Sequence, residues 1–176
     1  CIGAHGRRIN SLLDVGYGNG AFMKMAKQTV KIVGGKDVTG VPVPEGCFKT
    51  DKFEAVDVIT FWDCLEHIPD LMFVRDLPCE TVVISLPYCH LRDRGIRWFE
   101  NDYFHLKKNE HLHHFDEDSL TAFMDNMGWR RVAVAKLEDG IRKRDPEWNI
   151  LTAAFKRKEE IWKDVKGWEG KYKVSS

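Results

Sequence analysis

The chain has 176 residues, a length that suits one domain with one sizeable core. Apolar residues make up 43% and charged residues 31%, an ordinary globular composition. Lys plus Arg and Asp plus Glu number 27 each, so the neutral total gives no electrostatic argument for a nucleic-acid or membrane partner. The five cysteines, Cys1, Cys47, Cys64, Cys79 and Cys89, are odd in number and lack a C-x-x-C pair. Neither a disulfide framework nor a structural zinc site is expected, and a reducing cytoplasm is the expected compartment. No apolar run approaches membrane-spanning length, and the first residues lack the basic-then-apolar order of a signal peptide. The chain opens on Cys1 and stops at Val174-Ser175-Ser176 without a turn signal, so a truncated chain is expected.

Ser11 to Val15 reads as a short buried strand ending in a glycine turn. Gly20 to Gln28 follows with helix formers, and Phe22, Met23 and Ala26 fall at helical spacing. Thr29 to Val33 is predicted as a second strand, with Gly34 and Gly35 after it. Thr39 to Gly46 holds two prolines and two glycines and reads as loop. Val56 to Phe61 is a third apolar run. Pro69 opens a short predicted helix through Val74, and Glu80 to Leu86 is a further strand stopped by Pro87. Residues 88–115 are aromatic, charged and irregular, which predicts a functional loop or lid. Asp116 caps a predicted helix through Met127, with Leu120, Phe123, Met124 and Met127 on one stripe and Gly128 as its stop. Arg131 to Leu137 and Asn149 to Phe155 read as two strands joined by a polar turn. This order predicts an α/β, Rossmann-like, doubly wound and mostly parallel sheet, with an antiparallel C-terminal strand and helices on both faces.

In such a sheet, ligands bind at the carboxyl ends of the strands near the topological switch. The first strand here ends in Gly16-Tyr17-Gly18-Asn19-Gly20. Glycines allow a sharp turn and a close approach to a ligand, and the next helix offers free N–H groups. The spacing of Gly16, Gly18 and Ala21 also satisfies a dinucleotide-binding pattern. Asp14, two residues before the first glycine, tilts the choice towards a cationic ligand, because it would repel a pyrophosphate.

Leu12-Leu13-Asp14-Val15-Gly16-Tyr17-Gly18-Asn19-Gly20 resembles the first motif of class I S-adenosylmethionine-dependent methyltransferases. Asp63-Cys64-Leu65-Glu66-His67-Ile68 is similar to the Leu-Glu-His element of that family's small-molecule branch. The resemblance covers about residues 11–155. It implies S-adenosylmethionine as cofactor, with Gly16, Gly18 and Gly20 along its methionine part. Tyr17 and Asn19 of the same turn, and Phe61 at the end of the third run, join the implied cofactor set. Asp14 would face the amino group, and Asp37 would bind the ribose hydroxyls, since a carboxylate accepts two hydroxyl bonds. The other reading of Asp37 is a turn aspartate. Asp51 is the adenine candidate, although the helix that the family usually has before its fourth strand is expected to be missing or reduced here. The family also usually has N-terminal helices over the cofactor, and this chain begins too late to contain them fully.

Asp63, Glu66 and His67 follow a buried strand at its carboxyl end, beside the expected position of the transferred methyl group. Methyl transfer to oxygen or nitrogen needs an oriented nucleophile and removal of a proton. His67 is the candidate base, with Asp63 or Glu66 orienting it or the substrate. The competing reading is a Glu-His pair that only shapes the loop. His105, His111, His113 and His114 cluster in the lid near Glu110 and Asp116, but their spacing fits no closed zinc pattern, and no metal is expected. Trp98, Phe99, Tyr103 and Phe104 would either wall the acceptor or pack the lid on the sheet.

Residues 1–158 are thus expected to form the methyltransferase domain, and 159–176 a separate tail. Trp162, Gly167, Glu169-Gly170, Tyr172 and Val174-Ser175 are similar to the opening of a short DNA-binding module found beside phage-type homing endonucleases. That resemblance implies a phage or mobile-element setting. The expected partner is a small-molecule or sugar-like acceptor. Nucleic acid is the less favoured partner, because Asp63-Cys64-Leu65-Glu66 stands where a base-flipping methyltransferase would carry Asn-Pro-Pro-Tyr. A non-catalytic fragment that binds S-adenosylmethionine or DNA is the reading from a different class.

Overall fold

The structure is a computed structural model and describes residues 8–135, 138 and 149–158. The expected tail at 159–176 lies outside the described residues. The strands are β1 (Ser11–Val15), β2 (Ile32–Lys36), β3 (Phe48–Lys49), β4 (Val56–Trp62), β5 (Cys79–Pro87), β6 (Trp129–Ala135) and β7 (Ile150–Arg157). The α-helices are α1 (Ala21–Ala26), α2 (Leu91–Asn101) and α3 (Glu117–Asn126), and 3-10 turns form at Leu65–His67 and Met72–Asp76.

The strands form one sheet in the order β3-β2-β1-β4-β5-β7-β6. β1 pairs in parallel with β2 on one side and with β4 on the other, so the strand order reverses at β1. That is the switch point at which open α/β sheets bind ligands. β7 runs antiparallel to both β5 and β6 and is the expected antiparallel C-terminal strand.

Strand alternation sets the two faces. On β1, Leu12 packs with Met23 and Ala26 of α1, whereas Leu13 and Val15 pack in the cluster that holds Leu120 and Met124 of α3. On β4, Val58 joins the α1 side, and Ile59 and Phe61 join the α3 side. Successive side chains of a strand point to opposite faces, so α1 and α3 cover opposite faces of the sheet. Trp129, wholly buried, donates its indole N–H to the Val74 carbonyl at 2.9 Å. The Arg157 guanidinium lies 4.0 Å from the Trp129 ring and donates to the carbonyls of Arg75 and Leu77. These contacts pin the Met72–Asp76 turn to the last strands, and the apolar stem and cation–π contact offset the cost of burying Arg157.

The expected boundaries need four corrections. The second strand begins at Ile32, not Thr29, and runs through both glycines. A Cβ on Gly34 would sit 2.3 Å from the Phe48 ring, and one on Gly35 would sit 2.6 Å from the Tyr17 ring. The glycines are there for close approach within a strand, not for a turn after it. The lid contains a helix, α2, broken where Gly95 adopts φ 76 and ψ 175. The expected helix from Pro69 is a 3-10 turn at Met72–Asp76. The first helix is shorter than expected and ends at Ala26. Between Lys49 and Val56 there is no helix, as the sequence suggested.

Candidate functional site

The glycine turn sits at the carboxyl end of β1. Gly16, Gly18 and Gly20 all have positive φ, at 73°, 52° and 73°. This is the left-handed region that favours glycine. Gly16 N–H donates to the Lys36 carbonyl at 2.8 Å, and Gly20 N–H to the Tyr17 carbonyl at 2.8 Å. The Asn19 side chain accepts from Ala21 N–H at 3.0 Å and so satisfies one free donor of α1. Tyr17 is buried beneath the turn and donates its hydroxyl to the Val41 carbonyl, so its ring is scaffold.

A Cβ at Gly18 would meet no atom within 4 Å, so the turn has open space on that side. A Cβ at Gly16 would lie 2.4 Å from Cys64 Sγ. That contact packs the glycine turn directly against the residue before the Leu65–His67 turn. Burial pushes the Cys64 thiol up to about 12, with Glu66 adding to the shift, so it stays neutral.

Two acids flank the turn. Asp14 is 2% exposed and accepts the Thr60 hydroxyl at 2.7 Å, across the β1–β4 pair. Burial raises its pKa to about 7, Thr60 opposes the rise, and the charge on Asp37 adds to it. A cation in the open space would relieve that burden. Asp37 follows β2, and its carboxylate accepts from Gly18 N–H at 2.9 Å and Thr39 N–H at 2.7 Å. Burial pushes the Asp37 carboxyl up, but the bonds from Thr39 and Gly18, with Lys49, outweigh this and hold it below the ordinary value.

The turn is therefore a glycine cradle bordered by one ionised acid and one acid poised near neutrality. A polar ligand with a cationic group and hydroxyls fits it. Asp51 is exposed beyond β3, and its carbonyl accepts from Lys36 Nζ at 2.5 Å. Phe61 requires a correction: its side chain is wholly buried on the α3 face and its ring lies 6.2 Å from Phe73. Its ring belongs to the core.

β4 ends in a second turn. Asp63 takes φ 46, unusual for a non-glycine residue, and its N–H donates to the Ser85 carbonyl at 2.8 Å. Glu66 is 1% exposed. His67 Nδ1 lies 2.8 Å from the Glu110 carbonyl. A carbonyl only accepts, so Nδ1 carries the proton and Nε2 keeps its lone pair. Nε2 lies 3.9 Å from Glu66 Oε1.

The lid is tied to this turn by backbone. The Glu66 carbonyl accepts from Leu112 N–H at 2.8 Å and His113 N–H at 3.2 Å. His113 Nε2 donates to the Ile68 carbonyl at 3.0 Å. The His111 ring stands edge-on to His67 at 4.6 Å, and His105 stacks on His111 at 5.8 Å. Burial, then the neighbouring His67, lower the pKa of His111 and favour its neutral form. Of the lid histidines that the sequence placed together, His111 is the one whose ring meets His67 edge to edge.

Of the lid aromatics, Tyr103 is buried against Trp98, Phe99 and His114, whereas Phe104 is 68% exposed and walls nothing. An open cavity of about 490 Å³ lies beneath α2, lined by Cys89, Leu91, Arg92, Phe99, His114, Asp116 and Ser119. Cys89 and Arg92 had no sequence signal for this position. Arg92 approaches Asp116 at 3.4 Å and also bonds Asp118, which closes one side of the cavity.

An open sheet with a glycine cradle at its switch point defines a nucleotide-cofactor-binding α/β domain. The model of a family described as a methyltransferase domain matches residues 3–134, and the chain belongs to that family. It is a methyltransferase domain and hence an enzyme fold. Among solved structures, it is similar to a putative S-adenosylmethionine-dependent methyltransferase from Listeria monocytogenes, at 15% identity and TM-score 0.60, covering 86% of this chain and 92% of that one. It is also similar to 1,6-didemethyltoxoflavin-N1-methyltransferase from Burkholderia thailandensis with bound S-adenosylhomocysteine, at 14% identity and TM-score 0.64, covering 86% and 72%. A third is magnesium protoporphyrin IX methyltransferase from Synechocystis, at 13% identity and TM-score 0.56, covering 83% and 73%. No curated protein sequence matches the chain. Among the described residues, no helix is long and apolar enough to cross a membrane.

Proposed function

We propose that this domain uses S-adenosylmethionine to methylate an oxygen or nitrogen of a small-molecule or sugar-like acceptor. The cofactor, when bound, supplies an electrophilic methyl group on a sulfonium. The observation that carries the reading is the contact between Gly16 and Cys64, which sets the cofactor cradle against the turn bearing Asp63, Glu66 and His67. Two of the similar structures are named for small-molecule acceptors, which supports the same class here.

Each residue then has a duty. Asp14 meets the amino group of the methionine part, and Asp37 accepts from the ribose hydroxyls. Gly16, Gly18 and Gly20 let the backbone approach the ligand, and Asn19 holds the first turn of α1. Asp51 borders the adenine side. His67 takes the acceptor's proton at Nε2, held in that tautomer by the Glu110 carbonyl. Glu66, at 3.9 Å, stabilises the imidazolium that forms, and Asp63 orients the turn.

The test is a screen of hydroxylated and aminated small molecules, with S-adenosylhomocysteine release as readout. His67→Asn should lower turnover by ~100-fold or more while leaving cofactor affinity near that of wild type. Unchanged turnover would mean catalysis by orientation alone. Methylation of nucleic acid and of no small molecule would sink the acceptor assignment.

A further inference from the structure

Glu66, His67 and His111 each offer one ligand atom, and these atoms all lie within 4.8 Å of one another. Two of the residues are adjacent, and the third lies 44 positions on in the lid, which is why no sequence spacing announced the set. We propose that these three side chains form a binding site for a divalent transition-metal cation of the zinc type.

Three features of the geometry carry this. First, the set is two imidazoles and one carboxylate, a combination suited to zinc with a fourth position open to water or substrate. Second, the Nδ1 proton of His67 is committed to the Glu110 carbonyl at 2.8 Å. Metal-bound histidines are commonly oriented by such a bond on the other ring nitrogen. It leaves Nε2 with its lone pair, 3.9 Å from Glu66 Oε1. A cation placed between a carboxylate oxygen and a ring lone pair is attracted to both. Third, the His111 ring interacts with the His105 backbone, yet its buried Nδ1 makes no hydrogen bond of good geometry among the described residues. A cation held by this ring would give it a stronger partner than a poorly aligned hydrogen bond does.

The ligands are also held rigidly. Leu112 and His113 both donate backbone N–H groups to the Glu66 carbonyl, at 2.8 and 3.2 Å. The lid segment bearing His111 is thereby stitched to the turn bearing the other two side chains. A rigid support of this kind limits the conformational cost of gathering three ligands.

The binding itself does not depend on the proposed function, but its consequence does. The proton-accepting role of His67 described above belongs to the metal-free chain, because a cation on Nε2 occupies the same lone pair. In the metal-bound chain a hydroxyl of the acceptor at the open position would be acidified by the cation, and its proton would pass to solvent water.

The experiment uses the full chain, stripped of metal and titrated with zinc chloride by calorimetry. Metal content after dialysis is counted by mass spectrometry. The expected result is one zinc per chain. His111→Ala and Glu66→Gln should each weaken it by ~10-fold or more, and His114→Ala should not. Glu66→Gln keeps the buried side chain's size, and circular dichroism confirms that each variant folds. Absence of saturable zinc binding overturns the proposal. So does stoichiometric binding that both variants leave unchanged, which would place the zinc elsewhere. Titration of the same proteins with S-adenosylhomocysteine separates the two readings: cofactor binding without zinc binding removes the metal site and leaves the proposed function standing.

Discussion

Asp14→Asn should convert a pH-sensitive fold into one much less so. Asp14 is 2% exposed, and burial lifts its pKa from 3.8 to about 7. The unfolded chain therefore releases this proton near pH 4, and the folded chain holds it until near neutrality. The folded state binds the extra proton in between, so the group's stabilisation is complete below its unfolded value and is lost as pH rises through about 7. Over the whole interval the loss amounts to ~4 kcal/mol, and from about pH 5 to about pH 8.5 to ~3 kcal/mol.

Asparagine keeps an oxygen for the Thr60 hydroxyl, now 2.7 Å from Asp14 Oδ1, and carries no charge. Urea denaturation at a series of pH values measures the difference. Wild type should lose ~3 kcal/mol more than the variant across that range. At the same time the variant should bind S-adenosylhomocysteine more weakly above about pH 7, where wild type offers a carboxylate to the ligand's amino group. Parallel stability profiles for the two proteins would refute the reasoning, because Asp14 would then titrate as an ordinary exposed acid.

Asp37→Asn should lower the pH at which wild-type stability is lost, because the Asp37 charge helps raise Asp14; it should also weaken S-adenosylhomocysteine binding by ~10-fold, read by calorimetry. Gly18→Ala should fold with a loss of only ~1 kcal/mol, from its φ of 52°, yet weaken cofactor binding, since its methyl group enters the open space of the cradle. Gly16→Ala should cost at least ~2 kcal/mol in urea denaturation, because it adds the same backbone strain to a Cβ 2.4 Å from Cys64 Sγ. Asp116→Ala removes the bond from Ser119 N–H at 2.7 Å and should cost ~1 kcal/mol in the same assay, with cofactor affinity unchanged.

Much of the fold was legible because its signals are local. The apolar runs of β1, β4 and β5 mark buried parallel strands, and Asp116 with Ser119 forms the capping box that starts α3. Where the sequence misled, the deciding contacts are distant. Gly34 and Gly35 were left outside the second strand, because the Phe48 and Tyr17 rings that require glycine there come from distant positions. α2 buries none of its residues and is broken at Gly95, so it shows no core stripe. Phe61 was assigned to the cofactor by its place at a strand end, but strand parity turns its ring to the opposite face from Asp14 and Thr60. The glycine turn and the two acids beside it could be named from the sequence because they lie within a few residues of strand ends. The meeting of Glu66, His67 and His111 was not, because it depends on the lid folding back onto the turn through the Glu66 carbonyl.

The most direct test of the central claim is calorimetric titration of the full chain with S-adenosylhomocysteine, with NAD as the control. Saturable binding of S-adenosylhomocysteine and none of NAD is the expected result. Binding of NAD in its place would contradict the account, and would make the cradle beside Asp14 and Asp37 a dinucleotide site.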